Sequence, residues 1–194
     1  SYSGWVPHGY YDSSAKMFYM EWHQQTSPLG GRKDITAALV NGASGQLVKA
    51  GLKVHDTPDI LEEYSGSAYN PFNNEGLTLT TRNTGACDEG CLTRVYAERH
   101  THSAAGLSTV GPAIEIDGND STFEWYMSLG FNASTKRYVA VYGQSGIPYR
   151  ENPPIQVKAK ILDINGNPLS GELDLGAASG GSFYWQTGTA CSSR

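Results

Sequence analysis

The stretch IQVKAKILDINGNPLSGELDLG, residues 155–176, decides the fold class. Its first half alternates apolar and polar residues, which is the period-two pattern of a strand with one buried face. Asn165-Gly166 then provides a residue pair that readily adopts the positive φ angles of a tight turn. The second half alternates again. Two strands joined by such a turn pair antiparallel, so this stretch predicts a β-hairpin.

The same alternation recurs along the chain and predicts about eleven strands. Asn41-Gly42 and Asp117-Gly118 mark further tight turns between apolar runs. The predicted strands are AKMFYMEWH, KDITAALV, QLVKAGLKV, LTLTT, LTRVYAERHTH, PAIEIDG, STFEWYMSL, KRYVAVYG, IQVKAKILDI, GELDLG and GSFYWQTG.

A single short helix is predicted near residues 58–64. Thr57 fits the N-cap position and Pro58 the first helical position. Many short strands with one helical turn must bury their apolar faces against each other. We therefore predict an all-β fold, an antiparallel β-sandwich of the immunoglobulin-like or jelly-roll type, with residues 1–194 forming one domain.

Composition limits the partners of this chain. Charged residues make up 17% of its 194 residues, the formal net charge is −5, and no run of Lys or Arg could follow a phosphate backbone. Mean hydropathy is −0.41, and no apolar run approaches the ~20 residues of a membrane-spanning helix. We expect neither nucleic acid nor a membrane span. The many Gly and Tyr residues, with few Lys and Arg, predict an extracellular or periplasmic protein.

The three cysteines predict one local disulfide and one unpaired thiol. Cys87 and Cys91 flank the turn-forming residues DEG, and a bridge between them would close a very short loop. Cys191 has no obvious partner in the sequence. An odd cysteine in an exported protein can pair with another chain, so we predict a homo-oligomer formed through Cys191 or through edge strands.

The motif Tyr-x-Glu-x-His occurs twice, at residues 19–23 and 96–100, and His102 extends the second copy. Alternate side chains of a strand share a face, so Tyr, Glu and His of each copy lie together. The opposite face of the first copy is apolar, which predicts that this face packs on the core and that the motif points outward. Those apolar residues are Phe18, Met20 and Trp22. A similar order of strands and turns after each copy suggests an internal duplication anchored on the two motifs.

If the two motif strands are neighbours, their side chains could form one site. His23, His100 and His102 are candidate ligands for a divalent metal such as zinc. Glu98 and His100 are candidate catalytic residues that could divide the acid and base roles. The alternative is a solvated sheet face without chemistry, because such a face also alternates Tyr, Glu and His.

Aromatic residues provide the second candidate site. Adjacent aromatics in a strand face opposite ways, so one of each doublet could lie on the surface, where sugar rings and protein partners stack. The candidate ligand-binding residues are Tyr19, Glu21, Tyr96, Trp125 and Tyr149.

Three functions are compatible with these patterns. The first is a secreted β-sandwich that binds a glycan or a protein surface. The second is a metal-assisted or acid/base hydrolase or lyase that uses the Tyr-x-Glu-x-His strands. The third is a structural subunit of an extracellular fibre or shell. The sequence alone does not decide whether the protein is an enzyme.

Overall fold

The computed structural model describes residues 4–25, 33–55, 62–83, 92–118, 121–146 and 154–178. These residues form thirteen strands and no helix. The strands are β1 (Gly4–Asp12), β2 (Met17–Gln25), β3 (Lys33–Asn41), β4 (Leu47–Lys53), β5 (Glu62–Asn70), β6 (Glu75–Asn83), β7 (Thr93–Ser103), β8 (Gly106–Thr109), β9 (Ile114–Asp117), β10 (Phe123–Asn132), β11 (Arg137–Ser145), β12 (Ile155–Leu162) and β13 (Leu173–Ala178).

The strands form three antiparallel sheets, each of which follows the chain order. The first sheet is β1-β2-β3-β4 and the third is β10-β11-β12-β13. The second is β5-β6-β7, with β8 and β9 both pairing with β7. The prediction of an all-β fold of packed antiparallel sheets is confirmed. The connectivity is an up-and-down meander within each sheet, and not the Greek-key order of immunoglobulin-like and jelly-roll sandwiches.

The prediction of a helix near residues 58–64 is wrong at residues 62–64, which the structure describes. Residues 62–64 belong to β5, where Glu62 and Glu63 pair with Arg82 and Thr81 of β6. The ladder to β6 outweighs the local capping signals, while residues 58–61 lie outside the described residues. The alternation missed β1, β5 and β8, and the predicted strand GSFYWQTG lies outside the described residues.

The second sheet lies between the other two, and both of its faces are covered. In β6 every residue from Gly76 to Asn83 is buried. One face is apolar and packs on the third sheet, forming the main hydrophobic core. The principal members of this core are Leu77, Leu79, Val95, Ala97, Ile116, Met127, Leu129, Tyr138, Ala140, Tyr142 and Leu162. The other face is polar and packs on the first sheet.

The first hairpin of each sheet has the same turn. Its first strand ends at Asp12, Asn70 or Asn132, whose side-chain oxygen accepts a hydrogen bond from the backbone N–H two residues later. The last turn residue is left-handed in all three, with φ of 55° at Lys16, 56° at Asn74 and 53° at Lys136. Asx turns of this kind fix both loop length and strand register. The repeating unit of the chain is therefore one sheet.

This repeat replaces the duplication suggested by the two motifs. Tyr19 lies in the second strand of the first sheet, whereas Tyr96 lies in the third strand of the second sheet, so the two positions are not equivalent. Each sheet is a meander, the sheets stack face to face, and β5 runs close to both β1 and β10. Neighbouring blades of a β-propeller are arranged in this way.

Gly66 permits the closest contact between the second and third sheets. A Cβ atom at this position would lie 2.9 Å from Cα of Ser128 and 3.0 Å from the carbonyl carbon and oxygen of Met127. These are backbone atoms, so no side-chain rotation could relieve the contact. The absence of a side chain therefore sets the spacing between β5 and β10.

We expect Gly66→Ala to lower the free energy of unfolding by about 1–3 kcal/mol, since the added methyl group forces the two strands apart. The measurement is urea denaturation followed by tryptophan fluorescence. Gly171→Ala is the matched control, because a Cβ there meets nothing within 4 Å, and it should leave stability unchanged or slightly raised. Equal effects of the two substitutions would contradict the close-contact explanation.

Candidate functional site

The two Tyr-x-Glu-x-His strands face inward, into the interface between the first and second sheets. Tyr19 and Glu21 are fully buried, whereas Phe18 and Met20 are 43% and 39% exposed on the opposite face. The outward orientation predicted for the first motif is therefore wrong. The polar face of the second sheet explains the difference, because it offers Glu21 the hydrogen-bond donors that a buried carboxyl group needs.

A relay of hydrogen bonds crosses this interface. Oδ2 of Asp12 lies 2.9 Å from Nδ1 of His102, whose Nε2 lies 2.9 Å from the Tyr10 hydroxyl. The same hydroxyl is 3.2 Å from Nε2 of His100. Nε2 of His100 is in turn 3.3 Å from Oγ1 of Thr78. The relay thus connects β1 to two strands of the second sheet.

The relay ends at Glu21. Thr78 donates to Oε2 of Glu21 at 3.0 Å, and the Tyr19 hydroxyl donates to the same oxygen at 2.7 Å. An ionised Asp12 can only accept, so His102 donates from Nδ1 and accepts the Tyr10 proton at Nε2. Because Thr78 gives its own proton to Glu21, His100 donates from Nε2 to the Tyr10 and Thr78 oxygens, and one assignment of protons accounts for every hydrogen bond of the relay.

Gly76 makes room for the central group of the relay. A Cβ atom on Gly76 would collide with the hydroxyl of Tyr10 and would approach Nε2 of His100 to 2.9 Å. The Tyr10 ring stacks on Tyr19 and Tyr69, with centroid distances of 4.9 and 5.9 Å. Tyr10 is therefore held on both sides and at its tip.

Burial controls the charge state of the relay. Desolvation, with a smaller contribution from His102, lowers the pKa of His100 to about 3, so its imidazole is neutral. Burial also lowers the pKa of His102, although Asp12 opposes the shift. Burial alone would raise the pKa of Asp12, but hydrogen bonds from Ala15 N–H, His102 and Ser14 lower it. Apart from Glu21, the relay therefore holds one carboxylate and two neutral imidazoles at neutral pH.

Glu21 differs from Asp12 because its pKa rises. Desolvation raises it to about 7, and the hydroxyls of Tyr19, Thr78, Ser65 and Ser67 offset only part of this effect. Glu21 is consequently a buried group that changes charge near neutral pH.

A second cluster in the same interface surrounds His55. Nδ1 of His55 lies 2.8 Å from Oε1 of Glu98, and Nε2 lies 3.5 Å from Oε1 of Glu62. Arg82 approaches the same two carboxyl groups, with Nη2 at 2.8 Å from Glu98 and Nε at 4.0 Å from Glu62. The His55 side chain is 23% exposed, whereas both Glu side chains are buried. His55 therefore connects two buried carboxyl groups to solvent.

The two carboxyl groups have opposite pKa shifts. Burial raises the pKa of Glu62 to about 7, and His55 and Arg82 only partly offset this. Burial would also raise the pKa of Glu98, but the hydrogen bond from His55 and the charge of Arg82 bring it below its usual value. Neither oxygen of Glu62 accepts a hydrogen bond from a described residue, which explains the different outcomes.

The structure separates the remaining predicted site residues. Tyr96 lies under the Arg82 guanidinium, at 4.7 Å from the ring centroid, and its hydroxyl donates to Glu115. Trp125 is buried and stacks on Phe123, so it is not the surface aromatic that we predicted. Tyr149 and the cysteines Cys87, Cys91 and Cys191 lie outside the described residues.

The proposed metal ligands are distributed along the interface. His100 and His102 share the Tyr10 hydroxyl, and His23 is buried further along β2. Among the described residues, no three His, Cys, Asp or Glu side chains are grouped so that they could hold a metal ion.

Sequence patterns missed six members of the two clusters, and Thr78 of the relay is one of them. Tyr10 and Asp12 precede the first motif in a strand that alternation did not detect, and Glu62 was hidden by the predicted helix. His55 and Arg82 stand alone at strand ends. The usable signal was the YYDSSAKMFY hairpin, because its Asx turn implies that a strand ends at Asp12.

We expect Glu21→Gln to gain stability relative to wild type as pH rises from 4.5 to 7. Below pH 4.5, Glu21 is protonated in both the folded and the unfolded wild type, and the variant and wild type differ little in stability. Above it the unfolded chain releases a proton that the folded chain retains up to about pH 7. Wild type therefore loses up to about 3 kcal/mol in this range, and the variant does not. Urea denaturation at several pH values measures the difference, and a constant difference would contradict the raised pKa of Glu21.

Comparisons with known proteins give a fold and no family. No protein-family model matches the sequence, and no curated protein matches it. An N-acetylgalactosamine deacetylase from F. plautii, solved in complex with blood group B trisaccharide, has a similar structure, with a TM-score of 0.60 over 86% of this chain at 13% identity. The chain spans about half of that structure, 51% of its length. The described residues contain no helix long and apolar enough to cross a membrane.

Proposed function

We propose that this protein acts on a glycan by acid/base catalysis, with Glu62 as the proton donor and Glu98 as the ionised partner. The observation that carries this proposal is the pair of buried carboxyl groups that share His55 and Arg82 but have opposite pKa shifts. Carboxyl groups whose environments separate their pKa values are the usual acid and base of hydrolytic sites.

The chemistry of glycan cleavage needs both charge states. A protonated carboxyl group delivers its proton to the leaving oxygen, while a carboxylate activates water or attacks the sugar carbon directly. Glu62 is protonated up to about pH 7, and Glu98 is kept ionised by Arg82 and His55. His55, the most exposed member of the cluster, lies where a substrate would approach.

The fold supports a glycan as the substrate class. The similar structure is that of an enzyme named for its action on an amino sugar, and β-sheet stacks of this kind often carry sites on their strand ends and loops. An extracellular location would bring the protein to glycans and stays a prediction, as do the protein-surface and fibre hypotheses. Glycan binding without turnover is the alternative function.

Glu124 provides a matched control for the proton donor. It is also buried, and burial raises its pKa to about 7, with Thr122 and Thr93 partly offsetting the shift. Unlike Glu62, it is saturated by hydrogen bonds, from the Thr122 hydroxyl, from Oγ1 of Thr93 at 2.9 Å and from Nε2 of Gln144 at 3.5 Å. It lies in the other interface, between the second and third sheets.

We expect Glu62→Gln to lower kcat by about 100-fold or more, because glutamine cannot donate a carboxyl proton. The assay uses a panel of aryl glycosides and N-acetylated amino sugars, and the variant is tested on each substrate that wild type cleaves. Glu124→Gln should retain wild-type turnover. The proposal fails if wild type is inactive on the whole panel, or if both variants lose activity equally. Binding on a glycan array by an inactive wild type would favour the alternative function.

The pH profile gives an independent check. Because Glu62 must be protonated, we expect kcat/KM to fall as pH rises through about 7. Glu98→Gln should also lower turnover, because the carboxylate is lost. A profile that stays flat from pH 5 to 9 would exclude Glu62 as the proton donor.

A further inference from the structure

We propose that the outer faces of the first and third sheets dock a second copy of this chain, head to tail, so that the stack of sheets continues from one copy into the next. The proposal concerns association and is independent of the proposed function. It rests on the equivalence of the three sheets and on the apolar side chains of the two outer faces, which no described element covers.

The repeated hairpins define which residues are equivalent. Asp12 pairs with Met17, Asn70 with Glu75 and Asn132 with Arg137, one pair at the turn of each sheet. Two residues after the second member of each pair, the three second strands have equivalent positions. These positions are occupied by Tyr19, Leu77 and Val139. Phe18, Gly76 and Tyr138 occupy the preceding positions.

Equivalent positions point the same way along the stack. Tyr19 faces the second sheet, where its ring contacts His100 at 5.2 Å. Leu77 faces the third sheet and belongs to the main core. Val139, the third member of this set, lies on the outer face of the third sheet, because its neighbours Tyr138 and Ala140 fill the core with the second sheet. Val139 is thus positioned to face a further sheet.

The outer face of the third sheet has the composition of a sheet interface. Arg137, at the turn, and Ser128, opposite Val141, share the orientation of Val139 and are polar. The aliphatic and small residues with this orientation are Gly130, Val141, Gly143, Val157, Ala159, Ile161 and Leu173. Leu173 is 44% exposed. An antiparallel sheet face that meets water normally alternates to polar residues, so this face is typical of one that is covered.

The outer face of the first sheet is apolar near its first hairpin and polar at the other end, where Asp34 pairs with Lys53 and Thr36 donates to Gln24. Its apolar side chains are Tyr11, Phe18, Met20, Trp22, Val40 and Leu47. Tyr11 and Phe18 are each 43% exposed, and their rings lie 5.0 Å apart. This is the strip that the sequence predicted to face a core. A second copy would provide that core.

The two faces are of opposite kind, which determines how copies join. In each internal interface, the face that carries the Tyr19 position of one sheet (the Tyr19-type face) packs on the face that carries the Phe18 position of the next sheet (the Phe18-type face). The free face of the third sheet is of the Tyr19 type, and that of the first sheet is of the Phe18 type. Only a head-to-tail contact repeats the internal geometry, and such a contact closes when the rotation permits. Two copies give six sheets, within the range of four to eight that closed propellers contain.

The test is the mass of the purified chain in solution, measured by light scattering after size-exclusion chromatography under reducing conditions, which exclude a Cys191 disulfide. We expect a dimer that persists on dilution into the micromolar range. Met20→Glu and Val141→Glu each place a charge on one docking face, and each should weaken the dimer by at least about 100-fold. Leu169→Glu changes a residue that is 54% exposed outside both faces and should leave the dimer intact.

Mixing the two variants tests the head-to-tail arrangement. The intact third-sheet face of Met20→Glu fits the intact first-sheet face of Val141→Glu, so the mixture should recover dimers that neither variant forms alone. Circular dichroism and thermal melting confirm that each variant is folded. A monomeric wild type, open polymers in place of a dimer, or a mixture that stays monomeric would each overturn the proposal.

Discussion

The second sheet has no face toward solvent, and this constraint determines the rest of the structure. A sheet covered on one side can place its polar residues in water, but Thr78, Glu98 and His100 of the second sheet must find partners within the protein. The chain meets this requirement by making one interface apolar and the other polar. The first sheet therefore contributes hydroxyl and carboxyl groups to its inner face, where a core would usually place aliphatic side chains.

The two interfaces consequently differ in what they specify. Leu77 and Leu79 pack on the third sheet through dispersion and burial, which tolerate exchanges of similar volume. Tyr10, His100 and His102 require a defined proton arrangement and the space left by Gly76. Each hydrogen bond adds only about 0.5–1.5 kcal/mol net, but an unmatched partner costs more than that. The polar interface fixes the register between the sheets more strictly than the apolar one does.

The sequence predicted the elements better than their orientation. Alternation located most strands because its period is a local property of each strand. Alternation could not identify the inward face of β2, because Phe18 and Met20 are apolar like core residues. The pattern of a single strand does not show that a second sheet covers its polar face. The pairing of Glu21 with Thr78 depends on two distant strands that meet only in the folded chain. Glu98, His100 and His102 could be singled out in advance, but Glu62 and Asp12 could not, because their roles come from neighbours in other strands.

The contrast between Glu62 and Glu124 shows why burial alone does not make a site. Both carboxyl groups lie at the start of the first strand of a sheet, next to a β-bulge, and burial raises both pKa values to about 7. Glu124 has its oxygens occupied by hydrogen bonds from Thr93, Thr122 and Gln144. Glu62 keeps oxygens without a described hydrogen-bond donor and lies beside the half-buried His55. Equivalent positions of the repeat thus share a shifted pKa but differ in hydrogen-bond saturation, and the proposed proton donor is the unsaturated carboxyl group.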